Sequence, residues 1–138
     1  MAGTKDPGVH LIIDGVHTRA QSAARGVYTF EVPSGARRVI IASRSVVPRE
    51  VFGDALPDPR RLGVPVHRIV LRGRMGPPLE IEPNHPGLTD GFHKNEGTHR
   101  WTNGRGALPS QLLAQLVGDS TIEVHIGTIE LEYPVDAR

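Results

Sequence analysis

The sequence predicts an all-β protein: an antiparallel β-sandwich of jelly-roll-like kind, with one short helix near 110–117. Three observations carry this. Short segments alternate apolar and polar side chains along the chain, the period of half-buried strands. Sixteen glycines and twelve prolines are spread throughout and cut the chain into short pieces. Leucines at helical spacing occur in one place only, Leu112, Leu113 and Leu116. A length of 138 residues fits a single domain, 1–138, with 1–8 expected as a flexible lead-in.

The elements follow in order. Val9 to Ile13 is apolar and β-branched, and Asp14-Gly15 after it is a hairpin turn signal. Val27 to Val32 places Tyr28, Phe30 and Val32 on one face. Arg38 to Ser45 is apolar on both faces at its centre, as a central strand is. In Val64 to Arg72, strict alternation puts Val66, Arg68, Val70 and Arg72 on one face and His67, Ile69 and Leu71 on the other. Pro65 has no N–H for a ladder, so it belongs at the strand start or a sheet edge. Leu79 to Glu82 is a short strand. Thr121 to Ile126 turns Ile122, Val124 and Ile126 inward, and Thr128 to Tyr133 alternates again. The helix is expected to be capped by Ser110 and ended by Gly118. Two long connections remain, Val46 to Gly63 and Pro83 to Gly106; loops of this length are usually functional or packed over the end of a sandwich.

Composition removes several function classes. Sixteen Lys plus Arg against fifteen Asp plus Glu give a formal charge of +1, too balanced for an overall grip on nucleic acid. Aromatic residues make up 4%, too few for a base-stacking platform. Without cysteine there are no disulfides, thiolate metal sites or cysteine nucleophiles. No run approaches the roughly 20 apolar residues of a membrane helix. The first residues lack the basic-then-apolar order of a signal peptide, which reads as cytoplasmic, or as extracellular if the chain belongs to a larger secreted protein. No serine sits in a nucleophile elbow, and Gly104-Arg105-Gly106 lacks the spacing and lysine of a phosphate loop. The expectation is a non-catalytic module without a cofactor.

The segment Gly91 to Gly104 holds the only tryptophan together with His93, Glu96 and His99. An indole face matches the apolar C–H face of a sugar, and fixed polar neighbours match its hydroxyls. Phe92, His93, Glu96, Arg100 and Trp101 are therefore the candidate ligand-binding residues, with a carbohydrate or a surface-polysaccharide component as ligand. Trp101 also suits a buried anchor that opens a strand. A metal-dependent enzyme is the alternative set, with His85, His93, Glu96 and His99 as ligands, although their spacing matches no metal motif. Arg44, Arg49, Glu50, Asp54, Asp58, Arg60 and Arg61 are expected to pin the first long connection through Arg–carboxylate forks. A third reading is a structural, self-associating protein or protein-docking module, in contact through an edge strand or the Leu112/Leu113/Leu116 stripe.

A run of motifs adds to this: Ser43-Arg44, Pro48-Arg49-Glu50, Asp58-Pro59-Arg60-Arg61-Leu62-Gly63-Val64, Gly91-Phe92-His93, Glu96, Arg100-Trp101-Thr102-Asn103-Gly104 and Leu108-Pro109. Their order resembles a small β-rich module found beside bacterial Hint (hedgehog/intein-type) domains and in glycosyltransferase-like proteins, over roughly residues 26–126. Phe92 stands where that module has Trp, and Asn103 where it has an acid. The Hint part, which starts its chemistry from a cysteine, is absent here. The resemblance implies an accessory or recognition role rather than protein processing.

Overall fold

The computed structural model describes residues 3–135. In chain order the elements are β1 (Gly3–Thr4), β2 (His10–Ile13), β3 (Val16–Thr18), β4 (Ser22–Ala24), β5 (Val27–Val32) and β6 (Val39–Ala42). Then come α1 (Pro48–Phe52), a 3-10 turn (Gly53–Ala55), β7 (Pro65–Arg72), β8 (Leu79–Ile81), β9 (Arg100–Trp101) and β10 (Arg105–Ala107). The chain closes with α2 (Ser110–Leu113), β11 (Ser120–Ile126) and β12 (Tyr133–Pro134). The protein is mostly β, and every ladder between these strands is antiparallel.

One sheet has the order β10-β6-β2-β3; the larger has the order β4-β5-β11-β7-β8, and β9 also pairs with β7. β8 pairs with Ile69 to Leu71 and β9 with Pro65 and Val66, so the two share one edge of β7 end to end. Both sheets contribute to the largest apolar core. Leu11, Ile13, Val39 and Ile41 come from the smaller sheet; Phe30, Val32, Ile69, Leu71, Ile122, Val124 and Ile126 come from the larger. Each such side chain contributes about 1.5–3 kcal/mol on burial. On its other face the smaller sheet buries Ile12, Ile40 and Ala42, with Ala107 packed against them. That is why β6 is apolar on both faces.

Turn chemistry sets the register. Ile13 pairs with Val16 across Asp14 (φ 47°) and Gly15 (φ 84°), a two-residue hairpin with positive φ at both positions. Asp14 also reaches across to the start of β6, where its carboxylate accepts the backbone N–H groups of Arg37 and Arg38, at 3.1 and 2.9 Å. Arg25 and Gly26 make a second turn of this kind between β4 and β5.

Several expectations change. Strict alternation through β7 fails at a bulge. His125 pairs with Arg68 but Ile126 pairs with Val66, so His67 has no partner on β11. Val66 thereby joins Ile69 and Leu71 in the core instead of facing away, and His67 is exposed. Thr128 to Glu132 is not a strand; only Tyr133–Pro134 pairs, with Gly3–Thr4. The expected loose lead-in thus carries β1, and Asp6 lies 3.7 Å from Arg44. The helix is shorter than 110–117, and Ser110 is its first residue rather than its cap; Pro109 holds the cap position without a side-chain bond. Gly118 (φ 70°) does follow the turn. The Leu112/Leu113/Leu116 stripe packs on the core, with Leu113 buried, so it is not a free contact surface. Among the described residues no helix is long and apolar enough to cross a membrane.

Candidate functional site

The 46–63 connection and the 83–106 connection meet over a second, smaller core of Val46, Leu62, Leu131 and Tyr133. α1 begins here, with Pro48 at the helix start, where a missing N–H costs nothing. Val51, Ile129 and Trp101 pack against this cluster. Above it lies an open cleft of about 470 Å³. Its apolar wall is Pro48, Leu56, Pro57, Leu62 and Leu131; its polar groups are Asp58, Arg60, Glu96, Thr128 and Glu130; Trp101 lines it as well. Trp101 is half-buried, so it is both an anchor of the small core and part of the cleft wall.

Arg60 organises the polar side. Its Nη2 donates to Asp58 Oδ2 at 2.7 Å and its Nη1 to Glu96 Oε2 at 3.2 Å, joining the two long connections. The Nε group also reaches Asp58, at 3.1 Å. Hydrogen bonding to the Arg60 guanidinium holds the Asp58 carboxyl below the ordinary carboxylate range. Asp58 is therefore a fixed anionic acceptor, already ionised well below neutral pH. The Glu96 N–H donates to the His99 carbonyl at 3.0 Å, which closes the loop tip. The His99 ring stands edge-on to the indole of Trp101, with centroids 6.2 Å apart.

The expected binding residues divide. Glu96 and Trp101 line the cleft. Phe92 instead packs on the main core, and its ring occupies the space above Gly106. The His93 Nε2 lies 2.6 Å from the Arg61 carbonyl. Arg100 ties the loop down, with Nε donating to the His93 carbonyl at 2.5 Å and Nη1 to that of Pro83 at 3.1 Å. Phe92, His93 and Arg100 thus brace the core and the loops and do not line the cleft.

The metal set does not assemble either. His85 Nδ1 accepts the Gly87 N–H at 2.9 Å, and His93 is engaged with Arg61. Of the four, His99 and Glu96 approach one another, at 3.9 Å. Among the described residues no three His, Asp or Glu side chains form a metal-holding group.

Sequence reasoning places Arg60 and Asp58 in a loop-pinning fork, which is what they form, but not at the cleft. It misses Thr128, Glu130 and Leu131, because alternation assigns them to a strand. Other hollows lie about the sheets: about 300 Å³ between Val32 and α2, about 580 Å³ beside Arg72 and Asp119, and two of about 360 Å³ each beside Arg38 and Asp90. None of these has an aromatic side chain in its wall, which is why the cleft at Trp101 is the candidate site.

Of the motif residues singled out in the sequence, Pro48, Leu62, Gly63, Val64, Thr102, Gly104 and Leu108 are buried, while Arg44, Arg49, Glu50, Arg61 and Glu96 are exposed. Thr102 is fully buried, and its Oγ1 accepts the N–H groups of Val64 and Gly104, each at 3.2 Å. Gly63 lies so close that a Cβ there would collide with Thr102 Oγ1 and stand 2.5 Å from the Gly104 nitrogen. Tyr133 donates its hydroxyl to the Gly63 carbonyl at 2.5 Å. These contacts hold β9 and the start of β7 together under the cleft. The chain matches no protein-family model, no curated protein and no solved structure.

Proposed function

We propose that this chain is a non-catalytic recognition module that binds carbohydrate in the Trp101 cleft. The observation that carries this is the placing of one indole beside two carboxylates fixed by a single guanidinium. A sugar offers an apolar C–H face to the indole and hydroxyl donors to Asp58 and Glu96. Acceptors that are held in place by Arg60 lose little freedom on binding. The Arg60 clamp also favours binding over hydrolysis, because a glycosidase needs one carboxyl held protonated as general acid. The resemblance to the accessory module beside Hint domains is consistent with a recognition role.

Binding of the protein to an array of neutral and acidic oligosaccharides tests this, with Trp101→Ala and Arg60→Ala in parallel. Retention of a glycan by the parent protein and its loss in both variants is the expected result. Equal retention by Trp101→Ala removes the cleft from the account. A second reading, self-association, is favoured by one feature: β3 is an edge strand on which Val16 is 64% exposed. Light scattering showing a stable dimer that Val16→Lys dissolves supports that reading.

A further inference from the structure

On the outer face of the smaller sheet, away from the cleft, two imidazoles meet. His17 lies opposite Ile12 in the β2–β3 ladder, so His10 is its diagonal neighbour on the same face. His10 Nε2 and His17 Nδ1 are 3.0 Å apart, with the rings nearly parallel at 25° and centroids 5.0 Å apart.

Two features go beyond a chance contact. His10 Nδ1 lies 2.9 Å from the Gly8 carbonyl, which has no proton to give. Nδ1 therefore carries the hydrogen, and the Nε2 lone pair is directed at His17. A second ring nitrogen bonded to a backbone carbonyl is the arrangement that orients metal-ligating histidines. The other feature is the spacing. Two imidazole nitrogens bound to one ion at about 2.0–2.1 Å, in cis positions of a tetrahedral or square arrangement, stand about 2.8–3.4 Å apart. The observed 3.0 Å falls inside that window.

We propose that His10 and His17 form a binding site for one divalent transition-metal ion of the zinc or copper class. Two neutral imidazoles suit these borderline ions, and not calcium or magnesium, which take oxygen ligands. No carboxylate or third histidine joins them among the described residues, so the remaining positions belong to water or to an incoming ligand. The ion bridges β2 and β3 and pins the hairpin at Asp14-Gly15. In its absence a hydrogen bond from His17 Nδ1–H to His10 Nε2 fills the same gap, and metal uptake needs a change of His17 tautomer and a turn of the rings until both lone pairs converge on the ion.

Calorimetric titration with Zn²⁺ alone at neutral pH tests this, on the full chain and on His17→Gln and His10→Gln. The parent protein is expected to take one equivalent and to melt at a higher temperature with zinc. Each variant is expected to lose about tenfold or more in affinity. His17 is exposed, so His17→Gln keeps the fold and decides the matter if His10→Gln does not fold. No uptake by the parent protein leaves only an imidazole–imidazole hydrogen bond and overturns the proposal. Uptake unchanged in His17→Gln overturns it equally.

Discussion

Thr102 and Tyr133 show at the scale of single residues why the cleft has a fixed floor. Thr102 satisfies two backbone donors inside the protein, so Thr102→Val leaves both without a partner. The expected cost is about 1–3 kcal/mol by urea unfolding, with Thr102→Ser recovering most of it. Tyr133 is fully buried, and burial pushes its phenol well above the usual range near 10. The fold therefore favours the protonated form. Above about pH 10 the unfolded chain releases this proton while the folded chain holds it, so stability falls as pH rises. Urea midpoints between pH 9 and 11 are expected to fall for the parent protein and to fall less for Tyr133→Phe. Asp58 has the opposite sign: with its carboxyl lowered by Arg60, its contribution is present above about pH 4 and lost on acidification. Arg60 and Asp58 are about 30% exposed, so Arg60→Ala is expected to cost less than about 1 kcal/mol while removing ligand binding.

At the scale of elements, what could be read from the chain was whatever depends on local chemistry. Alternation placed β5 and β11 and oriented Phe30, Val32, Ile122 and Val124 correctly, because their pairing with each other runs without a bulge. Asp14-Gly15 marked the first hairpin, since its two positive-φ positions have a strong residue signature. At that turn Gly15→Val is expected to destabilise by about 1–2 kcal/mol in thermal unfolding, since a side chain there forces a β-branched residue into left-handed backbone. The bulge at His67 was illegible: an extra residue is defined by its partner strand, and nothing in Val66-His67-Arg68 announces it. Ser110 looked like a cap, yet Pro109 already fixes the backbone at that place. β3, β4, β9 and β10 are two or three residues long, too short for a period to register.

Taken whole, the molecule divides its sequence between holding and presenting. The Gly91 to Gly104 segment was conspicuous as polar and aromatic, but most of those residues hold. Phe92, His93, Arg100 and Thr102 brace the loop, and from this segment Glu96 and Trp101 reach the cleft. The distinction lay beyond sequence reading because the other wall comes from residues 48–62 and 128–131, brought alongside only by the folding of both sheets. The ion pair between Arg60 and Glu96 ties the two long connections together at the cleft itself. Since Trp101 is the only tryptophan, its emission reports on this cleft alone. The most direct measurement is a fluorescence titration of the protein with the oligosaccharide it retains best. The account predicts a saturable shift of the indole emission, protection from iodide quenching in the bound state, and loss of the shift in Arg60→Ala. Saturable glycan binding that leaves both emission and quenching unchanged contradicts it.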